Sequence, residues 1–183
     1  MNIFEKMWRH FLLVLEHKRY VFKYCLIAGI PYRGLVHDLS KFSPTEFFES
    51  AKYFTGTGSP INECRKDKGL SKAWLHHKGR NKHHFEYWID TDGTPCLMPY
   101  EYALEMCCDM LAAGQVYMKD KWTKDYPLEY WNKEKDKRNL HPAIREFQTK
   151  FFNSLRENGL KGITKKKTLK MYQESIKNNK KEP

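Results

Sequence analysis

The chain has 183 residues and a formal net charge of +11, with 40% hydrophobic and 15% aromatic residues, which is the size of one domain. So many large apolar side chains exclude a disordered chain, because their burial offsets the entropy lost on folding. The sequence has no run of about 18 apolar residues and its five cysteines form no C-x-x-C pair, so we expect a reduced, cytoplasmic protein with no membrane partner.

Helical periodicity dominates the chain. Apolar residues at spacings of three and four predict a long amphipathic helix that ends near Gly29 and Pro31. Ser43 and Glu46 form a capping box, which predicts another helix start, whereas the polar, turn-rich segment 55–70 predicts a loop. Predicted helices cover residues 3–29, 32–40, 43–54, 71–88 with a break near Gly79, 99–119, 127–137, 142–157 and 165–178.

These helices predict an all-α, single-domain helical bundle, and the helices at 3–29, 71–88 and 99–119 should form its core. We divide the chain into a helical domain, residues 1–159, and a basic C-terminal helix and tail, residues 160–183. The second part has eight lysines and two glutamates. It is either a solubilising tail or a surface that contacts nucleic acid.

The adjacent pair His37-Asp38 is the first candidate for chemistry. A neutral imidazole and a carboxylate that can bridge two ions suit zinc, manganese or iron. Such pairs also occur on protein surfaces without a metal. Lys41 follows Asp38 by three residues, so its ammonium could reach a phosphate bound at this site, or it could simply be exposed. Glu46 either caps its own helix or reaches the site as an acid.

Four histidines lie within nine residues, which is half of the histidines of the chain: His76, His77, His83 and His84. Residues seven apart share one face of a helix, but seven residues rise about 10.5 Å. One ion cannot easily be held from both ends of such a span. Either the helix breaks at Gly79 and brings the two pairs together, or the pairs serve two ions, or an ion and a substrate. A pair of solvated polar faces is the alternative.

Asp109 lies within an apolar stretch of the predicted helix 99–119. A buried carboxylate is costly unless it is paired or bound to a metal, so Asp109 is either a ligand or a hydrogen-bond partner of a core tyrosine or tryptophan. Glu105 lies one turn earlier on the same face. His17 lies among apolar residues of the first helix, where a histidine taken by itself packs in the core more often than it binds a metal.

The order of these residues along the chain resembles the HD-domain superfamily of metal-dependent phosphohydrolases, which are all-helical and carry the pattern H…HD…H…H…D. The stretch His37-Asp38-Leu39-Ser40-Lys41 also resembles an HD-x-x-K variant of that pattern. More narrowly, HDLSKFSPTEF, HHKGRNKHH and EMCCD are similar to an uncharacterised family of small HD-like proteins of bacteria and phages. The resemblance covers residues 10–120, and the middle histidines lie closer together than is usual in the superfamily.

The resemblance implies one or two divalent transition-metal ions, Mn, Fe, Zn or Co. It places His17, His37, Asp38 and Asp109 around the first ion, and Asp38 with one histidine from each of the pairs His76/His77 and His83/His84 around the second. Lys41, Arg80 and Glu105 would be the catalytic groups.

The expected function is hydrolysis of a nucleotide or another small phosphoester. One alternative is a di-iron oxygenase of the same fold, which uses the same ligand types. The other is a non-enzymatic accessory protein that binds nucleic acid through the basic tail.

Overall fold

Residues 1–180 are described in the computed structural model, and this part of the chain consists of α-helices joined by short turns and 3-10 segments. The prediction of an all-α bundle is confirmed. The nine helices of the described residues are α1 Ile3–Ala28, α2 Pro31–Val36, α3 Pro44–Lys52, α4 Pro60–Lys68, α5 Lys72–Arg80, α6 Tyr100–Met118, α7 Tyr126–Glu134, α8 Pro142–Asn158 and α9 Lys165–Asn178.

The helix ends follow local sequence signals. Gly29 adopts φ 79°, a left-handed conformation that glycine reaches without strain, and its N–H bonds to the last turn of α1. The Ser43 hydroxyl accepts a hydrogen bond from the N–H of Glu46, so the serine half of the predicted capping box is confirmed. The other half is wrong, because the Glu46 carboxylate contacts His76 and His77 and the Ser43 N–H bonds to the Ser40 carbonyl.

Three segments differ from their predictions. The helix expected to resume after Gly79 and to run through His83 and His84 to Trp88 is a turn followed by the 3-10 segment Phe85–Trp88. Residues 55–70 were expected to form a loop, but α4 occupies Pro60–Lys68. Its start has the same signal as α3, a serine followed by proline in the first turn, and its polarity obscured that signal. The predicted helix 32–40 stops at Val36, because His37 is not helical and Asp38 takes a left-handed φ of 52°.

The hydrophobic core lies between α1, α6, α7 and α8. Trp131 of α7 and Phe147 and Phe151 of α8 are fully buried there. The core therefore differs from the predicted one, because α5 contributes only two buried residues, Ala73 and His77, neither of which belongs to this cluster. Helix α5 packs against α3 instead and serves the polar centre described below.

The segment that follows residue 159 packs on the same core. Tyr172 of α9 is buried and donates a hydrogen bond from its hydroxyl to the Met98 carbonyl, with an oxygen–oxygen distance of 2.6 Å. The last three residues of the predicted tail, 181–183, lie outside the described residues. Across residues 1–180, no helix combines the length and the apolar character needed to cross a membrane.

Candidate metal centre

His37 and Asp38 lie at the junction between α2 and the 3-10 segment Leu39–Phe42. Each residue is 1% exposed, and His37 Nε2 lies 3.2 Å from Asp38 Oδ2. Asp38 adopts the left-handed backbone region, which aspartate enters more readily than most residues other than glycine, and such a conformation persists where the surrounding structure holds it in place. The backbone kink therefore places two adjacent polar side chains together in the interior.

The first group of converging side chains joins three parts of the fold. His17 comes from α1 and Asp109 from α6, and they meet His37 and Asp38 so that one ligand atom from each lies within 4.8 Å of the others. His17 Nε2 is 2.9 Å and His37 Nε2 is 3.5 Å from Asp109 Oδ1. The structure thus brings together the four residues that the resemblance placed around the first ion.

The second group shares Asp38 with the first. It consists of Asp38, His77, His83 and His84, again with one ligand atom of each within 4.8 Å of the others. Asp38 Oδ1 lies 3.3 Å from His77 Nε2 and 3.4 Å from His83 Nε2. His77 Nε2 and His84 Nε2 are 2.8 Å apart. One member of the first histidine pair and both members of the second therefore converge on one carboxylate.

The end of α5 explains how two histidine pairs seven residues apart can meet. The helix stops at Arg80, and Asn81 is extended. The Asn81 side-chain amide donates hydrogen bonds to the His77 carbonyl at 2.9 Å and to the Ser40 hydroxyl at 2.7 Å, which fixes the reversal of the chain. The helix therefore breaks one residue after the predicted position, Gly79, and the two pairs lie side by side.

The interior of these groups fits a metal cation. Buried polar atoms are nearly always hydrogen-bonded, yet His17 Nε2, His37 Nε2, Asp38 Oδ1 and His83 Nε2 have no hydrogen-bond partner among the described residues. All four atoms belong to the converging side chains, and they are the nitrogen and oxygen donors that protein-bound metals use. The buried histidine and aspartate groups can therefore hold a metal ion.

A buried carboxylate supports the histidines from behind. Glu105 accepts hydrogen bonds from His37 Nδ1 at 2.9 Å and from Arg33 Nε at 2.7 Å, and its Oε1 is 3.3 Å from His83 Nδ1. Burial would raise the pKa of Glu105, but the hydrogen bond from His37 and the neighbouring imidazole of His83 outweigh it and lower that pKa to about 2. Glu105 is therefore an ionised acceptor behind the ligands, not a group that faces the space between them.

Glu46 likewise supports the first histidine pair, His76 and His77, as a hydrogen-bond acceptor. Its Oε2 is 2.7 Å from His77 Nδ1 and its Oε1 is 2.6 Å from His76 Nδ1. The Nε2 atom of His77 is thereby left to face Asp38, which is the arrangement typical of histidines that bind metals. His76 lies in neither converging group and contacts Glu46 instead.

Lys41 is the cation nearest to the shared aspartate, with Nζ 2.7 Å from Asp38 Oδ2. Burial would raise the pKa of Asp38, but the charges of His37 and Lys41 lower it well below its usual range. Burial would lower the pKa of Lys41, but Asp38 and Asp109 outweigh that effect and raise it. The pair is therefore ionised on both sides at neutral pH.

The histidines differ in protonation. Burial lowers the pKa of His17, and burial together with His83 and His77 lowers that of His84 well below its usual value, so both are neutral near pH 7. Burial acts in the same direction on His37, but Asp38 outweighs it and raises the pKa of His37 well above its usual value. A cation that binds His37 must displace its proton.

Two cavities reach the centre from different sides. The larger, about 480 Å³, is lined by aromatic side chains together with His84, Asp109, Lys137 and Arg138. Its aromatic lining consists of Trp74, Phe85, Tyr117, Tyr126, Tyr130 and Phe152. The smaller, about 190 Å³, has His17, Lys41, His77 and Asp109 among its lining residues. Asp109, whose side chain is 20% exposed, lines both cavities and is the most accessible residue of the first group.

Two of the residues predicted to be catalytic lie elsewhere than expected. Arg80 is exposed at the end of α5 and lines neither cavity. Glu105 lies behind His37 and His83. Sequence reasoning missed Arg33, which pairs with Glu105, although its position four residues before His37 is a helical spacing that could have suggested a link.

The fold and the centre together define a class: an all-α protein whose buried histidine and aspartate side chains can hold a metal ion. Within that class, the chain belongs to DUF5662, a family of unknown function, whose family model matches residues 6–154. The match covers the centre and the helices that carry it, α1 to α6. Comparison with curated proteins and with solved structures gave no match.

Proposed function

We propose that this protein is a metal-dependent phosphohydrolase that acts on a nucleotide or another small phosphoester and uses one or two divalent transition-metal ions. The observation that carries the proposal is the sharing of Asp38 between two adjoining groups of histidines and carboxylates, with an ammonium group 2.7 Å away. Two neighbouring cation sites beside a fixed positive charge suit the negative charge of a phosphoryl group.

His17, His37, Asp38 and Asp109 would hold one ion. Asp38, His77, His83 and His84 would hold the second. Mixed nitrogen and oxygen ligands suit Mn, Fe, Zn or Co. Such ions, when bound, polarise phosphoryl oxygens and make a nucleophile available from water at neutral pH.

The remaining side chains bind and orient the substrate. The ammonium of Lys41 can donate hydrogen bonds to phosphoryl oxygens as their charge grows in the transition state. The larger cavity, where Tyr126 and Tyr130 stack at 6.1 Å, can hold a planar organic group against its aromatic wall. Lys137 and Arg138, which line the same cavity, add positive charge for further phosphates.

The test is a phosphoester screen on metal-free protein to which Mn, Fe, Zn or Co is added back. We expect metal-dependent phosphate release by the wild type and none by Asp38→Ala. The matched control is Asp120→Ala, which removes an exposed aspartate from the segment after α6 and should leave the rate unchanged. A metal-loaded protein that hydrolyses none of the phosphoesters but consumes oxygen in its iron form would overturn the proposal in favour of the oxygenase.

A further inference from the structure

Helix α1 has a second apolar face that points away from the core. Its buried face carries residues such as Val14, Val21 and Cys25. The other face carries large apolar side chains with substantial exposure: Phe4 78%, Trp8 61%, Leu12 45%, Leu15 41%, Phe22 39% and Leu26 56%. Single exposed apolar residues are ordinary, but a continuous stripe of them along one helix indicates an interaction surface.

Five of the six stripe residues follow a symmetric pattern centred on Leu15, and the sixth, Leu12, has Lys18 at its mirror position. Phe4 and Leu26 lie eleven residues on either side of Leu15, and Trp8 and Phe22 lie seven residues on either side. A helix that packs antiparallel against a copy of itself, with a two-fold axis at Leu15, brings these positions opposite one another. A partner of different sequence would require no such symmetry.

We propose that two copies of this chain form a two-fold dimer through this stripe, with their α1 helices antiparallel. In this register Leu15 meets Leu15 of the second copy at the axis. Phe4 meets Leu26 of the second copy, and Trp8 meets Phe22. The contact at the axis occurs once, and each of the other two apolar contacts occurs twice, as an isologous interface requires.

The charged residues between the apolar positions indicate that the stripe binds a second copy of this chain and not a lipid surface. Arg19 lies four residues after Leu15, on the stripe itself, and the register places it over Phe11 of the second copy. An arginine that stacks on an aromatic ring is stabilising at a protein interface, whereas its charge would be pushed into the apolar layer of a membrane. Phe11 already stacks on Trp8 at 5.8 Å and contacts Phe42 at 6.0 Å, so its ring is held in place.

The size of the stripe is close to what a stable dimer needs. Residues 4–26 span about 33 Å of helix. Their exposed apolar side chains present on the order of 600 Å² per copy, compared with about 800 Å² per partner in a standard interface. The exposed Leu35 and the stem of Lys18, whose ammonium bonds to the Leu35 carbonyl, border the stripe and extend it.

The first test is the oligomeric state in solution, which does not depend on any catalytic activity. We expect the wild type to have twice the chain mass of 22.0 kDa in sedimentation equilibrium. Leu15→Arg should be monomeric, because two guanidinium groups would face each other at the axis. Leu169→Arg, which places the same change on an exposed leucine of α9, should remain dimeric. Circular dichroism checks that both variants are folded.

The second test is the register, in a Cys96→Ser background because Cys96 is the exposed cysteine while the other four are buried. Leu15→Cys should form a disulfide-linked dimer with its own copy under mild oxidation. Leu26→Cys should not do so alone, but should when combined with Phe4→Cys. A monomeric wild type at the highest soluble concentration would overturn the proposal. A dimer that survives Leu15→Arg, or a monomer that binds anionic vesicles through this stripe, would overturn it as well.

Discussion

Glu105 accepts a hydrogen bond from His37 at 2.9 Å, and this contact across 68 residues of sequence fixes which nitrogen of His37 faces the centre. Because Nδ1 carries the proton that Glu105 accepts, Nε2 is the atom left to face Asp38 and Asp109. The same carboxylate lies 3.3 Å from His83 Nδ1, so it supports one histidine of each converging group. The two groups therefore share a support as well as a ligand.

The first prediction follows from that support. Glu105→Gln should weaken metal binding by about 10- to 100-fold, because an amide holds the imidazoles less firmly than a carboxylate. The measurement is competition with a chelator of known affinity. Glu101→Gln, one turn earlier on α6 and exposed, is the matched control and should bind metal as the wild type does. Equal affinities in the two variants would contradict the role of Glu105.

The second prediction concerns Lys41. Lys41→Met should lower phosphoester turnover by about 10²-fold. Bound metal should be retained, because removing an ammonium that competes for Asp38 Oδ2 does not weaken a cation site. Kinetics and metal analysis of the same preparation provide both values. Lys72→Met, at the exposed start of α5, is the control. Loss of metal with Lys41→Met would show that Lys41 is structural.

The third prediction concerns removal of the metal. A chelator should lower the melting temperature of the metal-loaded protein, because it leaves His17, His37 and Asp38 as buried polar groups without partners. The ion would also join α1 to α6 through residues far apart in sequence. Thermal unfolding of the loaded and chelated samples measures the difference. An identical melting temperature after verified removal of the ion would argue against a buried site.

The fourth prediction concerns acid stability. Burial, aided by the charge of Lys41, lowers the pKa of His10 to about 4, from 6.5 in the unfolded chain. Between pH 4 and pH 6.5 the unfolded chain therefore carries a proton on His10 that the folded protein lacks. The contribution of neutral His10 to the free energy of unfolding is complete above pH 6.5 and is lost as the pH falls toward 4. The shift corresponds to about 3 kcal/mol over the whole window.

His10→Leu should remove that pH dependence. Chemical unfolding of metal-free wild type and variant at pH 7.5 and pH 4.5 provides four free energies of unfolding. We expect the wild type to lose about 2–3 kcal/mol more than the variant between the two pH values. If the free energy of unfolding falls equally in the wild type and in His10→Leu, then the pKa of His10 is the same in the folded and unfolded states, which would contradict the prediction.

Helix ends that are set by neighbouring residues could be predicted from the sequence. The capping serine of α3 and the glycine after α1 act on their own neighbours, and both ends were predicted correctly. The five charged residues of α4 hid an equally clear helix start, because a polar segment resembles a loop when its burial is unknown. Only the tertiary structure shows that Cys64 of this helix is buried.

The candidate site divides in the same way. The types of residue that converge were readable from sequence, because clustered histidines and an aspartate in an apolar helix are unusual. The sequence could not show that His77, and not His76, belongs to the converging group. That outcome depends on where α5 ends and on Glu46, which lies 31 residues away from His77. The role of Glu105 as an acceptor behind the histidines likewise depends on contacts with residues of α2 and of the segment after α5.

The most direct test of the centre is X-ray diffraction from crystals of this protein, recorded at the absorption edges of Mn, Fe, Co and Zn. We expect one or two anomalous peaks that contact Asp38, the first also contacting His17, His37 and Asp109, and the second His77, His83 and His84. Crystals that show no peak at Asp38 after growth with each of these metals, or a peak held by other side chains, would contradict the proposed centre.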